Sequence, residues 1–145
     1  EVNCDVLHPL AELEEYAQAC RKYGVKPEFE IWHSGSIWNL NQLIEKGLLD
    51  GPYITTLFFG WPGGTWAPAT IEEYLYRRKL MPANCACTVT IMCEAQMDIM
   101  AAAIVSGDNG KVCTTHELVK ESADISRSVG REVATPAQAR EILGL

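Results

Sequence analysis

Positive charge is scarce in this chain. Twelve Lys and Arg residues stand against 19 Asp and Glu, for a formal net charge of −7. That balance argues against nucleic acid or an anionic membrane as a main partner. No apolar run reaches the ~18 residues that a membrane-spanning helix requires. No signal-peptide pattern stands at the start, and low-complexity stretches are missing. The first residue is Glu1 rather than Met, and a loop and helix follow almost at once. An N-terminal piece preceding Glu1 is therefore expected.

What is present suits one domain with a sizeable core: 145 residues, 48% hydrophobic and 21% charged. The six cysteines are Cys4, Cys20, Cys85, Cys87, Cys93 and Cys113. They do not make a small disulfide scaffold, and the expected compartment is the reducing cytoplasm.

Apolar periodicity divides the chain into alternating elements. Leu10, Leu13, Ala17 and Cys20 mark one face of a helix over 10–23, which Gly24 stops. A strand over 28–33 sets Phe29 and Ile31 on one face and Glu28, Glu30 and Trp32 on the other. Ile37, Leu40, Leu43 and Ile44 give the buried side of a helix over 36–46. A second strand over 52–59 ends at Gly60-Trp61-Pro62-Gly63-Gly64. Thr70-Ile71-Glu72-Glu73 reads as a capping box opening a third helix, and a third strand follows over 87–92. Two further capping boxes, Thr114–Glu117 and Thr135–Gln138, open the last two helices, the second with Pro136 at its first position.

Strands alternating with helices imply an α/β fold with a parallel sheet. One beat is missing. The helix over 94–106 runs through 107–113 into a helix over 114–129, which leaves no room for a strand. In βα folds the carboxyl ends of strands carry catalytic groups. The gap falls where chemistry is expected.

Several side chains invite two readings. His33 ends a strand, where a specificity residue would stand, whereas His8 and His116 read as structural or solvated. Cys85, Cys87 and Cys93 have the spacing C-x-C-x₅-C, which is neither a zinc ribbon nor a finger, and core cysteines are the plainer reading. A metal-binding module built on them stays as a third alternative. Arg77-Arg78-Lys79 closes a helix, where cations complement its dipole. Trp61 and Trp66 either line a site mouth or pack.

Three segments together resemble the β-keto acid cleavage enzymes, the family of 3-keto-5-aminohexanoate cleavage enzyme. They are Pro27-Glu28-Phe29-Glu30-Ile31-Trp32-His33-Ser34-Gly35, the glycine loop Gly60-Trp61-Pro62-Gly63-Gly64, and the tail running from Gly130-Arg131-Glu132-Val133-Ala134-Thr135-Pro136 to Leu143. The resemblance covers nearly the whole chain and matches about the C-terminal half of the family's TIM (β/α)₈ barrel. It implies that residues 1–145 form a single incomplete barrel domain of about three βα units plus C-terminal helices, since a complete barrel takes ~250 residues. The implied activity is zinc-dependent acyl transfer. A β-keto acid and acetyl-CoA give acetoacetate and a new acyl-CoA, with zinc polarising the substrate's oxygens. The implied partners are the two small molecules, and complete members look like homo-oligomers.

The resemblance also assigns residues. Glu30 would point into the barrel, where an interior carboxylate requires a partner or a substrate. It matches the family position facing the substrate's variable end, where it would favour an amino group; the plainer reading is a solvated strand-end Glu. Gly63 and Gly64 would let substrate or CoA approach the backbone, or simply form a turn. CoA phosphates also offer a second reading of the basic run at Arg77. Asp108 would be the family's catalytic Asp, or an ordinary Asp-Asn-Gly turn. No metal ligand is assigned: the family's H-x-H pair has no match here, and Gly107-Asp108-Asn109-Gly110 stands where its G-x-E-D-N motif would be. The isolated chain is therefore expected to be inactive. A non-catalytic degenerate or assembly subunit of the same fold is the alternative.

Overall fold

Tyr53-Ile54-Thr55-Thr56-Leu57-Phe58-Phe59 is almost wholly β-branched and aromatic, the composition that suits a pleated, buried surface. It forms the sheet's most extensively paired strand. The protein is described from a computed structural model that covers residues 8–62, 66–107, 109–110 and 116–145. Gly63, Gly64 and Asp108 lie outside the described residues, as do Thr114 and Thr115 of one expected capping box.

The elements in chain order are α1 (Leu10–Tyr23), β1 (Glu28–Ile31), α2 (Ser34–Glu45), β2 (Tyr53–Phe59), α3 (Ile71–Leu80), β3 (Cys85–Ile91), α4 (Gln96–Val105), β4 (Asn109–Gly110), α5 (His116–Ser128) and α6 (Pro136–Leu143). The strands lie side by side in sequence order, β1-β2-β3-β4. Every pairing is parallel. The sheet is mixed α/β as expected, and what the described residues form is an open sheet.

The missing beat needs correction. A two-residue strand, β4, fills it, pairing Asn109 with Thr88 and Gly110 with Val89. So short a strand has no apolar alternation of its own, and hydrophobic periodicity cannot detect it. A fourth βα unit is therefore present.

Register fixes the two faces. Glu30 pairs with Thr56, which pairs with Thr88; Ile31 pairs with Leu57, which pairs with Val89. Side chains alternate, so Ile31, Leu57, Phe59, Cys87, Val89 and Ile91 share one face. All six are buried in one core with Ile37, Leu40 and Leu43 of α2, Tyr74 of α3, and Ile99 and Ala103 of α4. The helices therefore cover this face, as the periodicity of α1 and α2 predicts.

Caps set the helix starts. Thr135 and Gln138 make the full reciprocal capping box, with Pro136 in the first turn. Thr70 makes only half of its box. Its hydroxyl accepts from the Glu73 N–H at 3.1 Å, but its own N–H donates to the Pro68 carbonyl. The Glu73 carboxylate is engaged elsewhere.

Leu57 is fully buried at the sheet's centre. Leu57→Ala should cost ~2–5 kcal/mol through lost transfer energy and a residual cavity. Urea unfolding should show a lower midpoint at unchanged slope. Trp38→Ala, at a position 69% exposed on α2, should stay within ~0.5 kcal/mol of the parent.

Candidate functional site

The other sheet face carries Glu28, Glu30 and Trp32 from β1 and its carboxyl end. It carries Ile54, Thr56 and Phe58 from β2, and Ala86, Thr88 and Thr90 from β3. Thr56 alone among these is buried. Its hydroxyl donates to the Glu28 carboxylate and lies 2.7 Å from the Thr88 hydroxyl, which reaches the Thr55 carbonyl at 3.2 Å. This chain of hydroxyls spans the amino-terminal half of the face.

Toward the carboxyl ends the face turns aromatic. The Trp32 and Phe58 rings stack with centroids 4.4 Å apart and planes 15° from parallel. Trp66 meets Trp32 at 4.9 Å and Phe58 at 5.1 Å, with planes at 64° and 77°. Trp61 follows, 6.2 Å from Trp66 and 53% exposed. Edge-on and offset contacts of this kind are the favoured aromatic arrangements. Glu30 precedes Trp32 by two residues on the same face, a separation of ~6.6 Å along a strand, and is exposed.

Arg77 holds these strand ends in place. It is fully buried, and its guanidinium lies 3.8 Å from the centre of the Phe59 ring. Nη1 donates to the carbonyls of Ile31 at 3.1 Å and Trp32 at 3.2 Å. Nη2 donates to the Phe58 carbonyl at 2.9 Å. Nε lies 3.3 Å from Glu73 Oε1, an ion-pair distance that does not meet hydrogen-bond geometry. Burial pushes the Arg77 guanidinium down to about 10, against the opposing pull of the Glu73 carboxylate. It remains cationic at neutral pH. Arg77 stands with Arg78 and Lys79 in the last turn of α3 as expected, and its burial adds a second role. The sequence does carry a signal for its burial: Tyr74, Arg77 and Met81 recur at spacings of three and four, and all are buried.

Other expected residues find plainer roles. His33 caps α2, its Nδ1 accepting from the Gly35 N–H at 3.0 Å. A Cβ on Gly35 would stand 2.8 Å from the His33 ring, so the cap and the glycine belong together. Gly60 ends β2 at φ +84°, and a Cβ there would meet Cys93 Sγ at 2.7 Å. Its N–H donates to the Ala67 carbonyl, folding the loop back so that Trp66 reaches the aromatic cluster. Cys87 is a core cysteine as expected and Cys85 is half-buried, but Cys93, past the end of β3, is exposed, so the core reading fails for it.

A metal finds no ligand set here. Among the described residues no three His, Cys, Asp or Glu side chains group as a metal ion would require. The residues described do not fit the zinc that the family resemblance implies. A cleft of about 600 Å³ opens elsewhere, at the amino ends of β2 and β3 beside Pro52, Asn84 and Cys85. It lies away from the aromatic cluster.

Comparison with known proteins agrees with this architecture. A family model described as beta-keto acid cleavage enzyme matches residues 6–145. The 3-dehydrocarnitine:acetyl-CoA trimethylamine transferase of Rhizobium meliloti is 27% identical over 92% of this chain and 48% of its own length. The 3-keto-5-aminohexanoate cleavage enzyme of Acetoanaerobium sticklandii is 30% identical over 86% of this chain and 50% of its own. The 3,5-dioxohexanoate:acetyl-CoA acetone transferase of Paraburkholderia graminis is 22% identical over 93% of this chain and 49% of its own. The chain thus spans about half the length of the curated relatives it matches.

Removing the guanidinium would leave three strand-end carbonyls without their donor. Arg77→Met should destabilise the chain by ~3–5 kcal/mol. Arg77→Lys keeps the charge but not the planar fork, and should lie closer to the Met variant than to the parent. Urea denaturation of the three proteins checks both statements.

Proposed function

The chain belongs to the beta-keto acid cleavage enzyme family, and from that premise we propose that its helix-free sheet face is the substrate-selecting part of an acyl-transfer site. The reaction takes a β-keto acid and acetyl-CoA to acetoacetate and a new acyl-CoA. The bond between the keto carbon and the CH₂ bearing the carboxylate breaks. That CH₂ joins the acetyl carbonyl carbon, and the CoA sulfur takes the released acyl group. Everything the substrates differ in travels with that acyl group, so selection requires contacts at its far end.

The observation that carries this reading is the exposed Glu30 beside the aromatic rings at the carboxyl end of β1. A carboxylate there favours a cationic acyl group. The names of two relatives include such a group, an aminohexanoate in one and a trimethylamine in the other. Gly63, Gly64 and Asp108 join the proposal from their places in the sequence, the glycines for close approach of substrate or CoA and Asp108 as the counterpart of the family's catalytic Asp, whose Arg partner this sequence lacks.

The purified chain should bind 3-keto-5-aminohexanoate, and Glu30→Gln should weaken that binding by ~5-fold, the loss of one exposed charge-assisted contact. Calorimetric titration reads both. Incubated with acetyl-CoA, the chain should form no acetoacetate above the uncatalysed background, with or without added zinc. Turnover at an enzymatic rate would overturn the assignment of selection alone. Equal binding by the variant would remove Glu30 from the site.

One observation favours a second reading as an assembly subunit. Among the described residues β1 pairs only with β2, so its outer edge presents unpaired backbone groups. Light scattering should then show assemblies larger than the 16.0 kDa monomer. A monomer that melts cooperatively and binds no hydrophobic dye would defeat this reading.

A further inference from the structure

We propose that the outer face of α3 is a self-association surface, on which a second copy of this chain docks antiparallel across a two-fold axis. The inference goes beyond the assignment of a selecting face and uses the helix-covered side of the sheet instead. Tyr74 and Arg77 are fully buried and fix which side of α3 meets the core. Glu72, Leu75, Tyr76 and Lys79 are all exposed and lie on the opposite side. The outer face of such a helix is ordinarily charged or polar. Here Leu75 is 51% and Tyr76 54% exposed, adjacent at the middle of the helix.

The order of these four residues is its own complement. An acid stands one turn before the apolar pair and a base one turn after it. A two-fold contact sets one surface patch against itself. With the helices antiparallel, the axis passes between Leu75 and Tyr76. Glu72 then meets Lys79 of the second copy, and Lys79 meets its Glu72. Leu75 and Tyr76 meet the same two residues across the axis and leave water together. With the helices parallel, Glu72 would face Glu72 and Lys79 would face Lys79. Any other occupant would need the same pattern in reverse order; a copy supplies it by identity. Among the described residues neither charge has an ion-pair partner of its own, so docking breaks no existing pair. Two chains of net charge −7 repel each other. At 0.15 M salt that repulsion is screened beyond ~8 Å, and the facing acid and base act within that distance.

Sedimentation equilibrium on the intact chain reads the association. A species of twice the 16.0 kDa monomer should form. Glu72→Lys and Lys79→Glu each set like charges against one another at two places, and each should weaken the dimer by at least ~10-fold. Mixed in equal amounts, the two variants should associate to within ~3-fold of the parent, because every facing pair is then opposite in charge. Tyr76→Ser removes an aromatic anchor from both copies and should also weaken the dimer by at least ~10-fold. Tyr23→Ser, at a position 71% exposed on α1, should leave the association unchanged. All four positions are exposed, and far-UV circular dichroism checks that each variant stays folded.

A chain that stays monomeric at ~1 mM, where even a weak specific contact is populated, would overturn the proposal. So would a dimer indifferent to Glu72→Lys and Lys79→Glu, variants that stay monomeric when mixed, or an equal loss in Tyr23→Ser. Assemblies that persist in all the α3 variants would belong to the open edge of β1, since none of these substitutions touches that strand. Binding of 3-keto-5-aminohexanoate does not depend on α3, so failure of the dimer and failure of the selecting face are read separately.

Discussion

The carboxyl ends of β1 and β2 are held by one buried cation. Arg77 reaches from α3 through the apolar layer and donates to three backbone carbonyls, two on β1's end and one on β2's. Those carbonyls lie at the carboxyl ends of the two strands. A buried carbonyl without a donor costs ~1–3 kcal/mol, and a buried guanidinium without acceptors costs more. Each side of the contact satisfies the other. The Phe59 ring beneath and the Glu73 carboxylate beside it complete the surroundings. Helix, strands and loop exits are thereby tied at the point where the sheet becomes a site.

That tie acts on function through alternation. The carbonyls Arg77 holds belong to Ile31, Trp32 and Phe58. Ile31 points into the core, while Trp32 and Phe58 stack on the opposite face. Fixing the backbone at these residues fixes the aromatic stack. Core packing on one face and ring placement on the other are consequently one constraint. A change in α3 that displaced Arg77 would be felt on the far side of the sheet.

Much of this was legible in the sequence. The periodicity of Leu10, Leu13, Ala17 and Cys20 places α1 over the residues it occupies. Alternation in 28–32 separates Phe29 and Ile31 from Glu28, Glu30 and Trp32, as the register confirms. Thr135, Pro136 and Gln138 announce α6 in full. What was not legible has physical causes. A two-residue strand has no pattern. A charged residue on a buried helical stripe reads as solvated unless its partners, distant in sequence, are known; Arg77 reaches back 46 residues to Ile31. His33 offered a specificity role from its place at a strand end, and the structure uses it as a cap. The aromatic corner joins Trp32, Phe58 and Trp66, brought together by parallel pairing and a loop that folds back at Gly60. No local window contains that juxtaposition.

Selection and turnover are separable in such an arrangement. The groups proposed to recognise a substrate's far end stand on β1, β2 and the loop after β2, where pairing is extensive and Arg77 fixes the exits. The groups proposed to move bonds lie nearer β4, of which Asn109 and Gly110 are described. A βα sheet of this kind draws its stability from the helix-covered face, and that face is continuous from β1 to β3. A change at β4 would therefore leave in place the packing that holds the proposed selecting positions. Recognition would persist even where chemistry was lost, because different strands support the two.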